Sequence, residues 1–413
     1  MSEWKKLSDL VERKICYGIV QPGNKVGNVP IIKVNNIIAG LNTVENLETT
    51  TEEIASKYER TKLKGGELII SLVGTVGVTA IVPHSFAGCN LVRATGMIDI
   101  VDDVLAKYVK YYLETKSAKE FLYGRLNTTV QPTLNVKTLE NLPIPIIDRH
   151  KIIAITSILS SLDDKIAVNR RICENLEAQA QALFKHWFID FAPFKNGQFV
   201  ESELGMIPEG LIYKRIGEMP HTLETGKRPS GGVKGIESGV PSIGAENIKG
   251  LGCYDYSKTK FVTEEYAASM KKGKINGYEL LIYKDGGKPG YFIPNFAIFG
   301  EGYPYDEMCL NEHVFKLDFG NRGYSLFAYF FFKTKQIMSY LNAQGAKAAI
   351  PGINSKDIDA ILMPSLENKW VKDYCNEVED VITHILMLSK ESARLSTLRD
   401  ALLPKLMSGQ IKV

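Results

Sequence analysis

The sequence has no paired cysteines, no metal-ligand spacing and no long apolar run. Its six cysteines are scattered, without a C-x-x-C pair or a histidine at zinc-ligand spacing beside any of them. The start of the chain, MSEWKKLSDL, has no apolar signal region, and we find no run of about 18 apolar residues that could span a bilayer. We therefore expect a reduced protein of a bacterial or archaeal cytoplasm, without a structural metal.

The sequence also has no excess of charge of one sign. Lysine and arginine total 50 and aspartate and glutamate total 47, which gives a formal net charge of +3. Global charge therefore neither requires nor excludes a polyanionic partner, and any nucleic-acid surface must be a local patch. A chain of 413 residues with 45% hydrophobic composition can form about two to four globular domains.

Motifs for the common enzyme chemistries are missing. Gly286-Gly287-Lys288 lacks the glycine spacing and the following hydroxyl of a phosphate loop, and no G-x-G-x-x-G, H-E-x-x-H or G-x-S-x-G is present. The triplets Glu114-Thr115-Lys116 and Glu367-Asn368-Lys369 lack the acidic strand that a Mg²⁺-dependent nuclease site needs. We therefore expect a chain without catalytic residues and without metal ligands, which is not itself an enzyme.

The two halves of the sequence resemble each other in order. The segment Pro132 to Pro145, PTLNVKTLENLPIP, aligns without a gap with Pro351 to Pro364, PGINSKDIDAILMP. Five further landmarks pair Trp4–Leu7 with Tyr213–Ile216, Val29-Pro30 with Val240-Pro241, Asn36-Ile37 with Asn247-Ile248, Gly66–Ile70 with Tyr278–Ile282, and the turn Gly74–Gly77 with Gly286–Gly290. Ordered agreement at these landmarks predicts an internal duplication.

Each copy begins with short β-branched and aromatic runs separated by Gly, Pro, Asn and Asp, with one helical stretch, which predicts a strand-rich α+β body. A long heptad pattern then follows each body. The positions of its stripe in the first copy are Ile155, Leu159, Leu162, Ile166, Asn169, Cys173, Leu176, Ala180, Leu183 and Trp187, all apolar except Asn169. The second copy repeats the pattern at Val371, Tyr374, Val378, Val381, Ile385, Leu388, Leu395, Leu398 and Leu402.

Each pattern predicts one long helix, of about 50 Å for the first. Mutual packing of the two apolar stripes as a coiled coil is the favoured interpretation, and packing of each helix on its own domain is the alternative. Asn169 is either a register-setting polar residue inside the stripe or part of a solvated edge.

Two loops of the second copy carry groups that could contact a polyanion. The segment Thr225–Gly232 is basic and rich in donors, and the turn Lys284–Tyr291 adds an aromatic side chain for stacking. The first copy has weaker counterparts in Tyr17–Lys25 and Arg93. The candidate contact residues are Lys227, Arg228, Ser230, Lys288, Tyr291, Lys25 and Arg93. The alternative is that these are ordinary solvated loops.

At this point the chain resembles a known family, the specificity subunits of type I restriction-modification systems. The segments Ile158–Ile166, Asn169–Ile172 and Leu176–Phe188 resemble the family's central conserved helix, and Arg399–Gly409 resembles its closing helix. Glu201–Gly210 is similar to the lead into the second recognition domain. Copy one departs from the pattern with Val20-Gln21-Pro22-Gly23 in place of a Gly-Lys-Arg-Pro-Ser loop, and the second helix lacks the Leu-Asp-Asp-Lys run.

The resemblance implies two tandem target recognition domains and two long helices that form an antiparallel, pseudo-twofold coiled coil. The expected boundaries are recognition domains at 1–148 and 208–366, helices at 149–190 and 367–413, and a linker at 191–207. Each domain would read one half of a split, asymmetric DNA target, and the helices would set the spacing and bind methyltransferase subunits. The expected partner-binding residues are Phe184, Trp187, Phe188, Leu403 and Leu406.

S-adenosylmethionine, ATP and Mg²⁺ would belong to the methyltransferase and restriction subunits of the complex, and this chain would bind no cofactor. Two rival hypotheses stay open. One is a coiled-coil protein-binding scaffold that does not recognise nucleic acid, and the other is a self-sufficient modification enzyme. The target bases do not follow from the sequence, because side-chain identity does not determine docking geometry.

Overall fold

The structure is a computed structural model that describes residues 3–23, 26–41, 43–127, 131–286, 290–347 and 350–413. The chain divides into two compact units. Unit 1 consists of Met1–Asp164 and Leu395–Val413, and unit 2 consists of Lys165–Arg394. Each unit contains a strand-rich body and a segment of each of two long helices. The predicted α+β fold with tandem strand-rich domains and long helices is confirmed.

The body of unit 1 contains short strands and helices in mixed order. Its strands are β1 (Glu3–Lys6), β2 (Arg13–Tyr17), β3 (Val29–Ile32), β4 (Thr49–Thr50), β5 (Leu68–Ser71), β6 (Thr79–Ile81), β7 (Asn90–Leu91), β8 (Thr95–Asp99) and β9 (Pro143–Ile146). Its helices are α1 (Val34–Ala39), α2 (Glu52–Ala55), α3 (Asp103–Glu114), α4 (Lys116–Tyr123) and α5 (Val136–Glu140). The first long helix, α6 (Arg149–Phe188), begins after β9.

The body of unit 2 starts with a hairpin after α6 and then repeats this pattern. Its strands are β10 (Phe199–Ser202), β11 (Gly205–Pro208), β12 (Tyr213–Arg215), β13 (Thr222–Thr225), β14 (Val240–Ile243), β15 (Lys260–Val262), β16 (Lys274–Ile275), β17 (Leu280–Tyr283), β18 (Phe296–Ala297), β19 (Met308–Leu310), β20 (Val314–Asp318) and β21 (Leu362–Pro364). Its helices are α7 (Glu264–Ser269), α8 (Arg322–Phe332), α9 (Lys335–Gly345) and α10 (Ser355–Asp359), followed by the second long helix, α11 (Lys369–Met407).

The strand order of the two bodies is the same, as the sequence landmarks predicted. The four-stranded sheet β2-β8-β5-β6 of unit 1 matches β13-β20-β17-β18 of unit 2. The sheet β4-β3-β7 matches the first three strands of β15-β14-β19-β16, and both contain one parallel pair. The two-stranded pair β1-β9 matches β12-β21. Duplicated topology therefore accompanies the duplicated sequence.

A buried glutamate before the central strand explains one landmark. Glu67 is 2% exposed and accepts hydrogen bonds from the backbone N–H groups of Lys64 (2.7 Å) and Gly65 (2.9 Å). Glu279, which is 4% exposed, accepts from the N–H groups two and three residues before it, at 2.7 and 2.9 Å. A carboxylate in this position closes the turn into the strand and satisfies two backbone donors that would otherwise be buried without partners.

The long helices pack on each other within unit 2. Asn169 is fully buried and donates to the Glu391 carboxylate at 2.7 Å, and the Tyr374 hydroxyl donates to the Ala180 carbonyl at 3.0 Å. Residue numbers increase along α6 while the numbers of their partners in α11 decrease. The two segments therefore run antiparallel. Asn169 lies inside this packing, which agrees with its interpretation as a polar residue within the stripe.

The two long helices also pack on each other within unit 1. Ile155 and Leu159 of α6 pack with Leu403 and Leu406 of α11, and all four are at most 7% exposed. The predicted mutual packing of the stripes is confirmed within each unit. One predicted position is wrong, because Leu398 is 47% exposed.

The aromatic core of unit 2 lies between the sheet and the helices. Every residue of α8 from Tyr324 to Phe332 is buried, because the helix has the four-stranded sheet on one side and the long helices on the other. The ring of Phe184 in α6 lies 5.2 Å from the rings of Phe188 and Phe327 and 5.5 Å from that of Tyr374. A helix that is apolar on all sides is typical of such a fully covered position.

Candidate nucleic-acid interface

In unit 2 the basic loop begins at the end of β13, where the backbone at Gly226 passes very close to β19. A Cβ atom placed on Gly226 would lie 1.6 Å from the carbonyl oxygen of Leu310, at the end of β19. Only glycine therefore allows the chain to cross β19 here. After this crossing Lys227, Arg228 and Ser230 are exposed.

Unit 1 has a matching crossing point. A Cβ on Gly18 would lie 2.1 Å from the carbonyl oxygen of Leu91, at the end of β7. Gly18 and Gly226 are therefore structural counterparts, as are Leu91 and Leu310. The loop from Gly18 to Gly23 corresponds to the basic loop of unit 2 but contains no lysine or arginine.

Arg228 is held by acidic and imidazole groups of the neighbouring strands. Its NH2 nitrogen lies 2.9 Å from Glu312 Oε1 and 3.3 Å from His313 Nε2. The other ring nitrogen of His313 is hydrogen-bonded to the Asp285 carboxylate. Lys284 lies 3.6 Å from the same carboxylate and donates to the Glu312 carbonyl at 3.2 Å. These five side chains form one charged cluster, which we call the Arg228 cluster.

Sequence reasoning missed Glu312 and His313. The histidine stood alone in the sequence, and nothing near it indicated a partner 85 residues earlier. The duplication was the one usable signal. Both residues follow Leu310, whose counterpart in unit 1 is Leu91, so the alignment of the two copies could have drawn attention to this segment.

Arg93 lies on the corresponding surface of unit 1. Its side chain is exposed and borders a cavity of about 620 Å³ that Lys33 and Asn135 also line. Tyr291 of unit 2 is 58% exposed, so its ring is free to stack. Lys25 and Lys288 lie outside the described residues. The roles assigned to all of these residues in DNA contact stay predictions.

Four of the five residues expected to bind partners have another role in the structure. Phe184 and Phe188 are 0% and 3% exposed within the aromatic core of unit 2. Leu403 and Leu406 are 7% and 2% exposed between the helices of unit 1. Direct contact with a partner would require these cores to open, and their burial assigns them to packing.

Trp187 is the fifth residue and is half-buried. Its ring lies 5.8 Å from that of Trp370 in an edge-on contact. It is therefore the residue of this group that keeps part of its surface accessible.

The described residues offer no metal centre. Within those parts of the chain, no three or more His, Cys, Asp and Glu side chains are grouped so that they could hold an ion. A search of the same residues finds no helix that is long and apolar enough to cross a membrane.

Comparison with known proteins shows which proteins this chain is similar to. A family model described as the type I restriction modification DNA specificity domain matches residues 1–178. The type I restriction enzyme MjaIX specificity subunit of Methanocaldococcus jannaschii is 26% identical over 370 residues, which cover 84% of this chain and 78% of that protein. The HindI specificity subunit of Haemophilus influenzae is 25% identical over 333 residues, which cover 68% of this chain and 71% of that protein.

A solved structure shares the fold. The crystal structure of the type I restriction-modification system S subunit from M. genitalium superposes with a TM-score of 0.52 at 14% identity, over 98% of this chain and 96% of that one. The duplicated strand-rich bodies and the paired long helices are thus a fold that this solved structure shares. Residues 1–178 match the type I restriction modification DNA specificity domain, and 84% of the chain is similar to a type I restriction enzyme specificity subunit.

Proposed function

We propose that this chain is the DNA-sequence-specificity subunit of a type I restriction-modification complex, and that each unit reads one half of a bipartite, asymmetric target. The observation that carries the proposal is a duplicated topology with divergent loops. Both units lead a loop across the end of a matched strand at a glycine, Gly18 or Gly226, but the loops differ in charge. Equivalent bodies suit two half-sites, and different side chains suit different bases.

The long helices are proposed to set the spacing of the half-sites and to dock the methyltransferase subunits. With Phe184, Phe188, Leu403 and Leu406 in the core, other side chains must supply the contacts. Exposed apolar residues are present on both helices: Ile158 and Ile172 on α6 are 37% and 36% exposed, and Met387 on α11 is 67% exposed. Apolar side chains on helix surfaces are typical of protein contacts when they cluster.

The chemistry of modification and cleavage is proposed to belong to partner subunits. Those subunits would bind S-adenosylmethionine, ATP and Mg²⁺, and this chain would contribute no catalytic residue. Incubation of the purified chain with DNA and labelled S-adenosylmethionine should transfer no methyl group. Turnover by the chain alone would refute this division of labour and favour a self-sufficient modification enzyme.

DNA recognition can be tested with fluorescence anisotropy on a randomised duplex pool, using the full chain together with its methyltransferase partner. We expect binding that weakens as salt rises, because basic groups replace counterions on the phosphates. Replacing Lys227 and Arg228 by Ala should weaken binding by about 1–3 kcal/mol if either reads a base. Lys335→Ala, at an exposed lysine of α9, is the control. Binding that is absent or insensitive to salt would favour a protein-binding scaffold.

A further inference from the structure

The duplication allows the two recognition surfaces to be compared position by position. Leu91 ends β7 and Leu310 ends β19, and both strands pair in parallel with the strand that follows the glycine loop. Two residues beyond these leucines stand Arg93 in unit 1 and Glu312 in unit 2. The matched position therefore carries a cation in one unit and an anion in the other.

In unit 2 the carboxylate at this position, that of Glu312, forms an ion pair with Arg228. The NH2 group of Arg228 points at Glu312 Oε1 (2.9 Å) and at His313 Nε2 (3.3 Å). His313 Nε2 also lies 3.3 Å from Glu312 Oε1, and the other ring nitrogen, Nδ1, is hydrogen-bonded to the Asp285 carboxylate. The NH2 group is thereby held against the Glu312 carboxylate, which sets the orientation of the guanidinium.

The Arg228 cluster pairs two basic side chains with two carboxylates. The positive charges of Arg228 and Lys284 face the negative charges of Asp285 and Glu312, and the His313 ring lies against both carboxylates. Glu312 Oε2 is buried without a partner among the described residues, and Oε1 faces Arg228 NH2 at 2.9 Å and His313 Nε2 at 3.3 Å. The Nε and NH1 groups of Arg228 have no partner in the described parts of the chain and can still donate.

Arg93 is in a different electrostatic situation. It is exposed, and the described residues provide it with no ion-pair partner and no side-chain hydrogen bond. Lys33, which lines the same cavity, is paired with Glu48. Arg93 is therefore a free cation on the surface of unit 1, and its long side chain can follow a phosphate.

We propose that Glu312 is a positioning residue that turns Arg228 into a base-reading group, while Arg93, at the matching position of unit 1, binds a phosphate. A neutralised and oriented arginine attracts phosphate weakly but donates in a defined direction to a base edge. An unpaired arginine adds affinity for any sequence. The two half-sites are thus read by different chemistry. This inference rests on the proposed DNA-binding function.

The test selects bound sequences from a randomised duplex pool with the full chain and its methyltransferase partner, and measures affinity against salt. Glu312→Gln keeps the shape of the side chain but removes its charge. It should lower base preference at one position of one half-site about tenfold. It should also steepen the slope of log affinity against log salt by about 0.9, because Arg228 is then free to bind a phosphate. Glu312→Asp should restore part of the preference.

Arg93→Gln should do the opposite, making that slope shallower by about 0.9 and leaving base preference unchanged. Arg228→Gln should remove the same base preference as Glu312→Gln without steepening the slope, and it carries the test if Glu312→Gln fails to fold. Glu265→Gln, at an exposed carboxylate of α7, is the matched control and should change neither quantity.

The outcomes separate the two proposals. If the unmodified chain selects no sequence, the proposed function itself fails. If it selects a sequence and Glu312→Gln keeps both the preference and the slope, the role of Glu312 is refuted. Loss of a base preference in Arg93→Gln without a change of slope would refute the phosphate assignment. Equal loss of affinity for all sequences in Glu312→Gln and Glu312→Asp would indicate a merely structural role and also overturn the inference.

Discussion

The Asp163 carboxylate joins three elements of unit 1, so its removal should destabilise that unit selectively. Asp163 lies on α6 and accepts hydrogen bonds from Arg399 NH1 of α11 (2.7 Å), from the Tyr111 hydroxyl of α3 (2.8 Å) and from Lys110 Nζ of α3 (3.2 Å). The carboxylate is 24% exposed and Lys110 is 18% exposed. Without it, these donors would lose a charged acceptor while staying largely shielded from water.

The size of the effect follows from this geometry. A hydrogen bond to a charged group contributes about 1.5–3 kcal/mol, and removing one partner of a buried ion pair costs about 3–5 kcal/mol. Since about a quarter of the side chain is in contact with water, we expect the lower part of that range. Asp163→Ala should therefore reduce the free energy of unfolding of unit 1 by about 2–4 kcal/mol.

The effect should depend on pH in a defined direction. Burial raises the pKa of Asp163, but the charge of Lys110 and the hydrogen bonds from Arg399 and Tyr111 outweigh burial and lower it below its usual value. A carboxylate with a lowered pKa in the folded state stabilises above its unfolded pKa of about 3.9, and the stabilisation is lost as pH falls through the folded value. The difference in stability between the unmodified chain and Asp163→Asn should be constant above about pH 5 and shrink below about pH 4.

Hydrogen exchange in increasing urea, followed by mass spectrometry, can measure the two units separately. The Asp163→Ala variant should lose protection in peptides of α3, of the start of α6 and of the end of α11, and keep it in unit 2. Asp164→Ala is the matched control. The Asp164 carboxylate is next to Asp163 in the sequence, but it is exposed and makes no ion pair among the described residues. Equal stability of the two variants, or a loss spread evenly over both units, would refute the reasoning.

Three further substitutions test other parts of the fold. Phe184→Ala should lower the stability of unit 2 by about 3–5 kcal/mol in urea unfolding, and an effect as small as that of exposed His186→Ala would contradict its place in the core. Gly226→Ala should displace the basic loop, because the new methyl would overlap the Leu310 carbonyl, and DNA affinity should fall. Ser230→Ala, in the same loop, should leave the fold unchanged. Asn169→Ala should reduce the free energy of unfolding by about 1–2 kcal/mol. Val168→Ala, at a 43% exposed position, should have little effect.

Local signals in the sequence predicted much of the fold. The strand order repeats because both copies kept the apolar runs that form β5 and β17 and the glutamate that closes the turn before each of them. The helix pair was predictable because a stripe that repeats every three or four residues needs an apolar partner. The error at Leu398 arose from extending the stripe toward the end of α11, where the buried positions are instead Leu403 and Leu406.

The candidate site was predictable only in part. The glycine and basic residues of the loop after β13 are local features, and they indicated an exposed surface. The contacts of Arg228 with Glu312 and His313 were not predictable. These two residues come close to Arg228 only through the pairing of β14 with β19 and of β13 with β20. Charge partners brought together by strand pairing leave no periodic signal along the chain.

By itself the sequence determined the duplication, the α+β composition of each copy and the two apolar helices, since these depend on residue order and periodicity. The tertiary structure alone decided which side chains remain on the surface. It buried Phe184, Phe188, Leu403 and Leu406, which were expected to meet partners, because α8 and the ends of the long helices cover them. It also decided the electrostatic surroundings of the two candidate arginines, because only folding brings a carboxylate to Arg228 and leaves Arg93 without one among the described residues.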